Sequence, residues 1–127
     1  MGMPILVVDD NPTNRLVIST MLRKLGFASV LTENGEQGAE AALADPRPAM
    51  VFMDIQMPVL DGFDGTIRIR QNEQSRGLSR LPIVALTADV FEQTRQHCKD
   101  ADMDDFLAKP VDLQELQALL AKWNPIA

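Results

Sequence analysis

The sequence predicts an α/β fold in three layers: one sheet of five parallel strands, sandwiched by five helices. Two observations lead there. Short apolar runs alternate with amphipathic stretches along the whole chain, and such alternation implies parallel pairing through right-handed crossovers. The runs at 3–8 and 50–53 are apolar throughout instead of at every second position, as strands buried on both faces are. With 127 residues, 46% of them hydrophobic, the chain has material for a single ordered domain over 1–127 and not for two.

Each element has a local reason. The first run stops at Asp9-Asp10-Asn11-Pro12, where Asn11 suits a helix N-cap and Pro12 the first helical position. Val17, Met21 and Leu25, widened by Ile18 and Leu22, make the apolar stripe of that helix, and Gly26 stops it. Residues 29–31 form a short second strand. A helix over about 35–44 turns Ala39, Ala42 and Leu43 inward, and Asp45-Pro46 ends it. The third strand, 50–53, is closed by Asp54. A turn-rich stretch through Pro58, Asp61 and Gly62 then leads to a helix through Arg70, and the polar residues 71–80 read as the longest loop. The fourth strand covers 83–86, a helix runs to about Ala101, and a fifth strand covers 105–108. Leu113, Leu116, Leu120 and Trp123 share one face of the last helix.

Composition narrows the function. A net charge of −6 argues against direct binding to nucleic acid, which needs a basic footprint. No apolar run approaches the roughly 18 residues of a bilayer span, and the start lacks a secretory pattern. The single cysteine, Cys98, fits a reducing compartment, so a cytoplasmic location is expected. The chain reads as a stand-alone domain or as a piece of a longer protein, with Met1-Gly2-Met3 partly a cloning remnant.

In open parallel sheets, function gathers outside the C-terminal ends of the strands. Asp9 and Asp10 follow the first strand, Asp54 the third, Thr87 the fourth, and Lys109-Pro110 the fifth. Two carboxylates about 4 Å apart repel by roughly 4 kcal/mol at an effective dielectric near 20. One ammonium is too little for three of them. A hard divalent cation completes the balance, and Mg²⁺ suits an open, oxygen-lined rim better than Zn²⁺. A carboxylate beside it can then act as nucleophile towards a phosphoryl group, with metal and Lys109 neutralising the equatorial oxygens. Asp54, alone after the central strand, is the candidate nucleophile; adjacent Asp9 and Asp10 better fit metal binding, and Thr87 can donate to a phosphoryl oxygen.

Four segments carry a resemblance: Val7-Val8-Asp9-Asp10-Asn11, Met53-Asp54-Ile55-Gln56-Met57-Pro58, Ala85-Leu86-Thr87-Ala88 and Phe106-Leu107-Ala108-Lys109-Pro110. In this order and spacing they resemble the receiver (response-regulator) domains of two-component signalling. The spellings over 9–14 and 54–62 are most like receivers of hybrid histidine kinases. The resemblance implies a flavodoxin-like sheet of order 2-1-3-4-5. It implies Mg²⁺ held directly by Asp10, Asp54 and the Gln56 main-chain carbonyl, with Asp9 acting mainly through water, and a cis Lys109–Pro110 bond. It implies phosphorylation of Asp54, helped by Thr87 and Lys109, and a switch in which Phe106 turns inward as Thr87 moves to the phosphate. Such a domain is a phosphoacceptor, not an enzyme in the ordinary sense, although it shares in its own phosphorylation and dephosphorylation. The implied partner is a histidine kinase or histidine-phosphotransfer domain, docking on the helix from Pro12 with Asn14 and Arg15 in contact. Asp102 departs from the pattern, which places glycine there. If its φ is positive, Asp102→Gly should stabilise by roughly 0.5–1 kcal/mol.

Taken singly, Asp9 is a cap or turn residue, Thr87 an N-cap, and Lys109 a surface lysine; convergence gives them chemistry. A phosphohydrolase working through an aspartyl phosphate would carry Asp-x-Asp after the first strand and an insertion to cap its substrate. A flavin-binding module would carry a Ser/Thr/Gly-rich phosphate loop there. This chain has none of these. His97 has no partner pattern and reads as solvated, whereas Cys98 falls with Phe91, Thr94 and Ala101 on one stripe and reads as packed.

Overall fold

The computed structural model describes residues 3–44, 47–57, 61–89 and 91–123. Its elements run β1 (Ile5–Val8), α1 (Pro12–Lys24), β2 (Ser29–Thr32), α2 (Gly35–Ala41), β3 (Met50–Asp54), α3 (Gly62–Arg76), β4 (Ile83–Thr87), α4 (Glu92–Asp100), β5 (Asp105–Ala108) and α5 (Leu113–Trp123). The strands form one parallel, flavodoxin-like sheet in the order β2-β1-β3-β4-β5. Among the described residues, no helix is long and apolar enough to cross a membrane.

Side chains alternate across a strand, and here each parity has its own core. Leu6, Val8, Val51, Met53, Ile83 and Ala85 pack with Ala39, Ile69, Cys98 and Ala101, on the α2/α3/α4 face. Ile5, Val7, Met50, Phe52, Val84, Leu86 and Leu107 pack with Ile18, Leu22, Leu116 and Leu120, on the α1/α5 face. Counting on in twos gives the strand ends their sides. Asp9, Asp54 and Lys109 share the α1/α5 parity, and Thr87 and Phe106 the other; Phe106 does pack against the α2/α3/α4 cluster.

The helices differ from expectation in instructive ways. Asn11 caps α1, its side chain accepting from the N–H groups of Thr13 and Asn14, and Gly26 (φ +93°) follows the helix. The buried stripe of α1 is centred on Ile18 and Leu22, which leaves Val17 40% and Leu16 65% exposed. α2 stops at Ala41; the Asp45-Pro46 stop and Pro58 lie outside the described residues. Phe91 is not on the stripe with Cys98 and Ala101. It is the extended N-cap of α4, outside the helical period, and is 72% exposed.

The largest correction is α3, which continues past Arg70 to Arg76 and ends at Gly77 (φ +64°). Residues 71–76 are therefore helix, not loop. A charge network at the N-terminal end of the sheet explains it. Buried Glu73 accepts from Arg47 Nη2 at 2.9 Å, Arg70 Nη1 at 2.8 Å and the Leu81 N–H at 2.8 Å. Arg70 also donates to the Leu81 carbonyl at 2.9 Å and to Asp104 Oδ2 at 2.7 Å. The Ile83 N–H donates to that same Asp104 oxygen at 2.8 Å. Helix, loop and two strand starts are thus tied through charged groups, with no apolar pattern to announce them.

Asp102 has φ +72°, and it has a partner. Arg80 donates to both of its carboxylate oxygens, at 3.1 and 3.0 Å, which holds the Asp102 carboxyl below its usual range. Glycine would relieve the left-handed backbone, but it would also remove an exposed ion pair of the kind usually worth about 0.2–1 kcal/mol.

Two expectations follow for urea unfolding at constant m-value. Glu73→Ala takes from half-buried Arg47 its carboxylate and from the buried Leu81 N–H its acceptor, leaving Arg70 with Asp104 alone, and should cost about 3–5 kcal/mol; a loss under 1 kcal/mol would show that the network is ornamental. Asp102→Gly should be neutral to within about 0.5 kcal/mol at low salt and turn stabilising in 1 M salt, where the ion pair is screened. A gain independent of salt would mean that the Arg80 pair contributes nothing.

Candidate functional site

At the opposite end of the sheet, each loop is built around a carboxylate. The ladder continues one step past β1, the Asp9 N–H donating to the Thr32 carbonyl at 3.1 Å. Asp9 Oδ1 then accepts from the Asn11 N–H at 2.9 Å, which sets the turn into α1. Arg15 Nη1 closes that turn on the Asp9 carbonyl at 2.7 Å. After β3, Asp54 Oδ1 accepts from the Gln56 N–H at 3.0 Å. The Asp54 carbonyl sits against Gly62, where an added Cβ would clash with that oxygen; α3 starts this close to the site only because residue 62 has no side chain.

Lys109 joins the two. Its N–H continues the ladder to the Thr87 carbonyl at 2.8 Å, and the bond to Pro110 is cis. Its ammonium lies 3.0 Å from Asp54 Oδ2 and 3.2 Å from Asp9 Oδ2. Asp9 is fully buried and Asp54 is 3% exposed, while Asp10 is exposed. Carboxylate oxygens of Asp9, Asp10 and Asp54 lie within 4.8 Å of one another.

These charges do not balance. Burial raises the Asp54 carboxyl above its ordinary value, against the lowering effect of the Gln56 N–H and Lys109. Burial alone would lower Lys109, but the hydrogen bond and attraction from Asp54, then Asp9, carry it upward. Among the described residues Asp9 Oδ2 is buried with no well-aligned hydrogen-bond donor, and its close cation, Lys109 at 3.2 Å, is shared with Asp54. An orphaned buried carboxylate oxygen within a group of hard oxygen ligands fits a divalent cation such as Mg²⁺.

The remaining expected residues stand nearby in other engagements. The Gln56 side chain is exposed. Thr87 is 4% exposed, and its hydroxyl is bonded within its own loop, to Asp89. Phe106 is half-buried, with the Arg95 guanidinium 4.5 Å above its ring. Asn14 and Arg15, expected on an open docking face, are half-buried, Arg15 being spent on Asp9. His97 is exposed, its ring 4.5 Å from Phe63, and burial raises the Cys98 thiol. Sequence reading missed Asp89 and Gly62. An Asp-x-x-Glu spelling over 89–92 is a helix-start signal that marks the first; nothing in the sequence marks the second as a steric necessity.

The sign of the Asp54 shift gives a test on the metal-free protein. A carboxyl with a raised folded pKa contributes stability that is fully present below its ordinary value and is lost as pH rises through the raised one. Asp54→Asn cannot ionise, so it should melt at a higher temperature than the parent at pH 7 in chelator. The difference should shrink as pH falls below about 4, where an ordinary Asp is itself protonated. A variant no more stable than the parent at pH 7 would refute the imbalance.

Known proteins are similar to this chain over nearly its whole length. Residues 5–121 match the family model for the response regulator receiver domain. Over 119 residues the chain is 40% identical to hybrid signal transduction histidine kinase A of Dictyostelium discoideum, covering 94% of this chain and 6% of that protein; it therefore spans only a small part of that relative. The receiver domain of sensor histidine kinase PA1611 from Pseudomonas aeruginosa PAO1, solved with a magnesium ion in its active-site cleft, is 43% identical with a TM-score of 0.83, over 97% of this chain and 98% of that one. The complex of the Saccharomyces cerevisiae histidine phosphotransfer protein Ypd1 with the receiver domain of Ssk1 contains a match at 28% identity and a TM-score of 0.88, over 97% of this chain and 90% of that one. With the fold, the acidic rim and the family match in agreement, the chain belongs to the response regulator receiver domain family.

Proposed function

We propose that the domain accepts a phosphoryl group on Asp54, in a Mg²⁺-dependent reaction, from the phosphohistidine of a histidine kinase or histidine-phosphotransfer domain. One observation carries the reading: Asp54 ends the central strand at the rim, within reach of Lys109 and of the Asp9 and Asp10 carboxylates, whose combined negative charge one ammonium does not balance. Asp10, Asp54 and the Gln56 carbonyl would hold the metal, with buried Asp9, already beside Lys109, acting from behind. Mg²⁺ bound there supplies positive charge for the oxygens of the transferring group. In the transfer, a bond forms from an Asp54 oxygen to phosphorus, the donor's P–N bond breaks, and its electron pair returns to the imidazole nitrogen. The Lys109 ammonium stays against the oxygens, and the domain itself supplies the catalytic groups. Thr87 then leaves Asp89 for the new anion, and Phe106 shifts with it.

The partner approaches over the rim that α1 borders. Leu16 and Val17, the exposed apolar residues of that helix, offer a helical partner a small hydrophobic centre, in place of Arg15. A contact of this size suits transient, micromolar-range binding. The reading also places the domain in the cytoplasm, consistent with its free, buried Cys98.

Intact-protein mass spectrometry with acetyl phosphate as donor tests the acceptor. The parent should gain one phosphoryl group with Mg²⁺ and none in chelator, and Asp54→Asn should gain none. The same gain in Asp54→Asn would overturn the assignment.

A further inference from the structure

The β4–α4 connection contains bonds that phosphoryl transfer does not use. Thr87 Oγ1 donates to the Asp89 carbonyl at 2.7 Å and accepts from the Asp89 N–H at 3.1 Å. The hydroxyl proton, the one Thr87 has to offer an anion, is thereby committed inside its own loop. Asp89 is in turn tied to α4: Oδ1 accepts from the Phe91 N–H at 2.8 Å and Oδ2 from the Thr94 hydroxyl at 3.0 Å. The N-cap residue of α4, Phe91, makes no side-chain cap bond. Asp89 therefore supplies, from two residues upstream, an acceptor that the helix start otherwise lacks. The same stretch of α4 places Arg95 over Phe106, so both residues of the proposed switch are held from this helix.

We propose that Asp89 is a positioning residue: its carboxylate latches the connection to α4 and so keeps the Thr87 hydroxyl turned away from Asp54. The inference rests on the reading that Asp54 takes the phosphoryl group and Thr87 answers it. For Thr87 to donate to an anion on Asp54, its proton must leave the Asp89 carbonyl and the connection must turn. Two side-chain bonds from Asp89 to the start of α4 resist that turn. A population locked in the latched form lowers the apparent affinity for the anion by the fraction that is competent. Loosening the latch should therefore tighten binding, and loss of one ordinary hydrogen bond corresponds to about three- to ten-fold.

The probe is beryllofluoride, a phosphoryl mimic, titrated with Mg²⁺ into the whole domain and followed by amide NMR. Thr94→Val is the central variant, because it removes one latch bond while the Asp89 charge and the side-chain volume remain. It should bind about three- to ten-fold more tightly than the parent, and this gain should vanish in a Thr87→Ala background. Asp89→Ala should also bind more tightly, and by more than Asp100→Ala. Asp100 accepts only from Gln96 on the same helix, so its replacement removes a carboxylate and one exposed hydrogen bond without touching the latch. Thermal melts of each variant separate a loss of fold from a change in affinity. Unchanged or weaker binding in Thr94→Val, or a gain that persists without Thr87, overturns the latch while the acceptor role stands. Failure of the parent itself to bind beryllofluoride at Asp54 would overturn the acceptor role, and the latch with it.

Discussion

Lys109 is one ammonium facing two buried carboxylates, Asp9 at 3.2 Å and Asp54 at 3.0 Å. That contact reaches across the sheet. β5 is not a neighbour of β3; β4 lies between them, so the strands stand roughly 10 Å apart at about 4.8 Å per step. A lysine can cover much of that distance only if nothing from β4 stands in the way. Thr87 has the opposite parity and leans to the other face, which leaves the passage open. Strand order, register and alternation are therefore all preconditions of a single ion pair, and the site cannot be assembled on a sheet with another order or with β4 shifted by one residue.

The two ends of the sheet handle charge in contrary ways. At the N-terminal end, Arg47, Arg70 and Arg80 meet Glu73, Asp102 and Asp104, three cations for three anions, with main-chain groups filling further positions. Such a set is internally satisfied and has nothing to bind. At the C-terminal end, Asp9 and Asp54 share Lys109 with Asp10 close beside them, and Asp9 Oδ2 accepts no aligned hydrogen bond among the described residues. Unsatisfied buried charge costs stability, and a fold tolerates it where a ligand completes it. The rigid end fixes the helix starts and strand registers, and so keeps the unsatisfied end from relaxing by local rearrangement.

These differences also decide what could be read in advance. The strands were legible because their burial on both faces leaves near-continuous apolar runs, and Asp9, Asp54 and Lys109 because each breaks off such a run. The C-terminal turns of α3 were not. They are stabilised by Arg70, Glu73 and Arg47, whose spacing in sequence looks like any polar surface. Simple four-residue recurrence points Val17 inward, but the buried stripe of α1 against the sheet face is narrow, and Ile18 and Leu22 fill it. Arg15 looked like an open docking residue. Its guanidinium found a main-chain carbonyl six residues back, a contact that no periodicity encodes. Asp102 shows the same limit: the unusual residue was visible, and its Arg80 partner across two loops was not.

Parity also bears on how a change at Asp54 could be felt elsewhere. The charged cluster shares its parity with the α1/α5 core, whereas Thr87 and Phe106 share theirs with the α2/α3/α4 core. The strands between them are filled with buried Val, Ile, Leu, Met, Ala and Phe, and among the described residues their buried polar side chains are Asp54 and Thr87 at the strand ends. Packed interiors of this kind move between discrete arrangements rather than deforming continuously. A signal from Asp54 to the other face must therefore pass around the end of β4, where Thr87 stands one residue beyond the register partner of Asp54, Leu86. The Thr87 hydroxyl there is engaged by hydrogen bonds to Asp89, which can be exchanged for other bonds without opening the core. On the proposed reading the output face would be α4 and β5, where the Arg95–Phe106 contact is the first packing interaction such an exchange would meet.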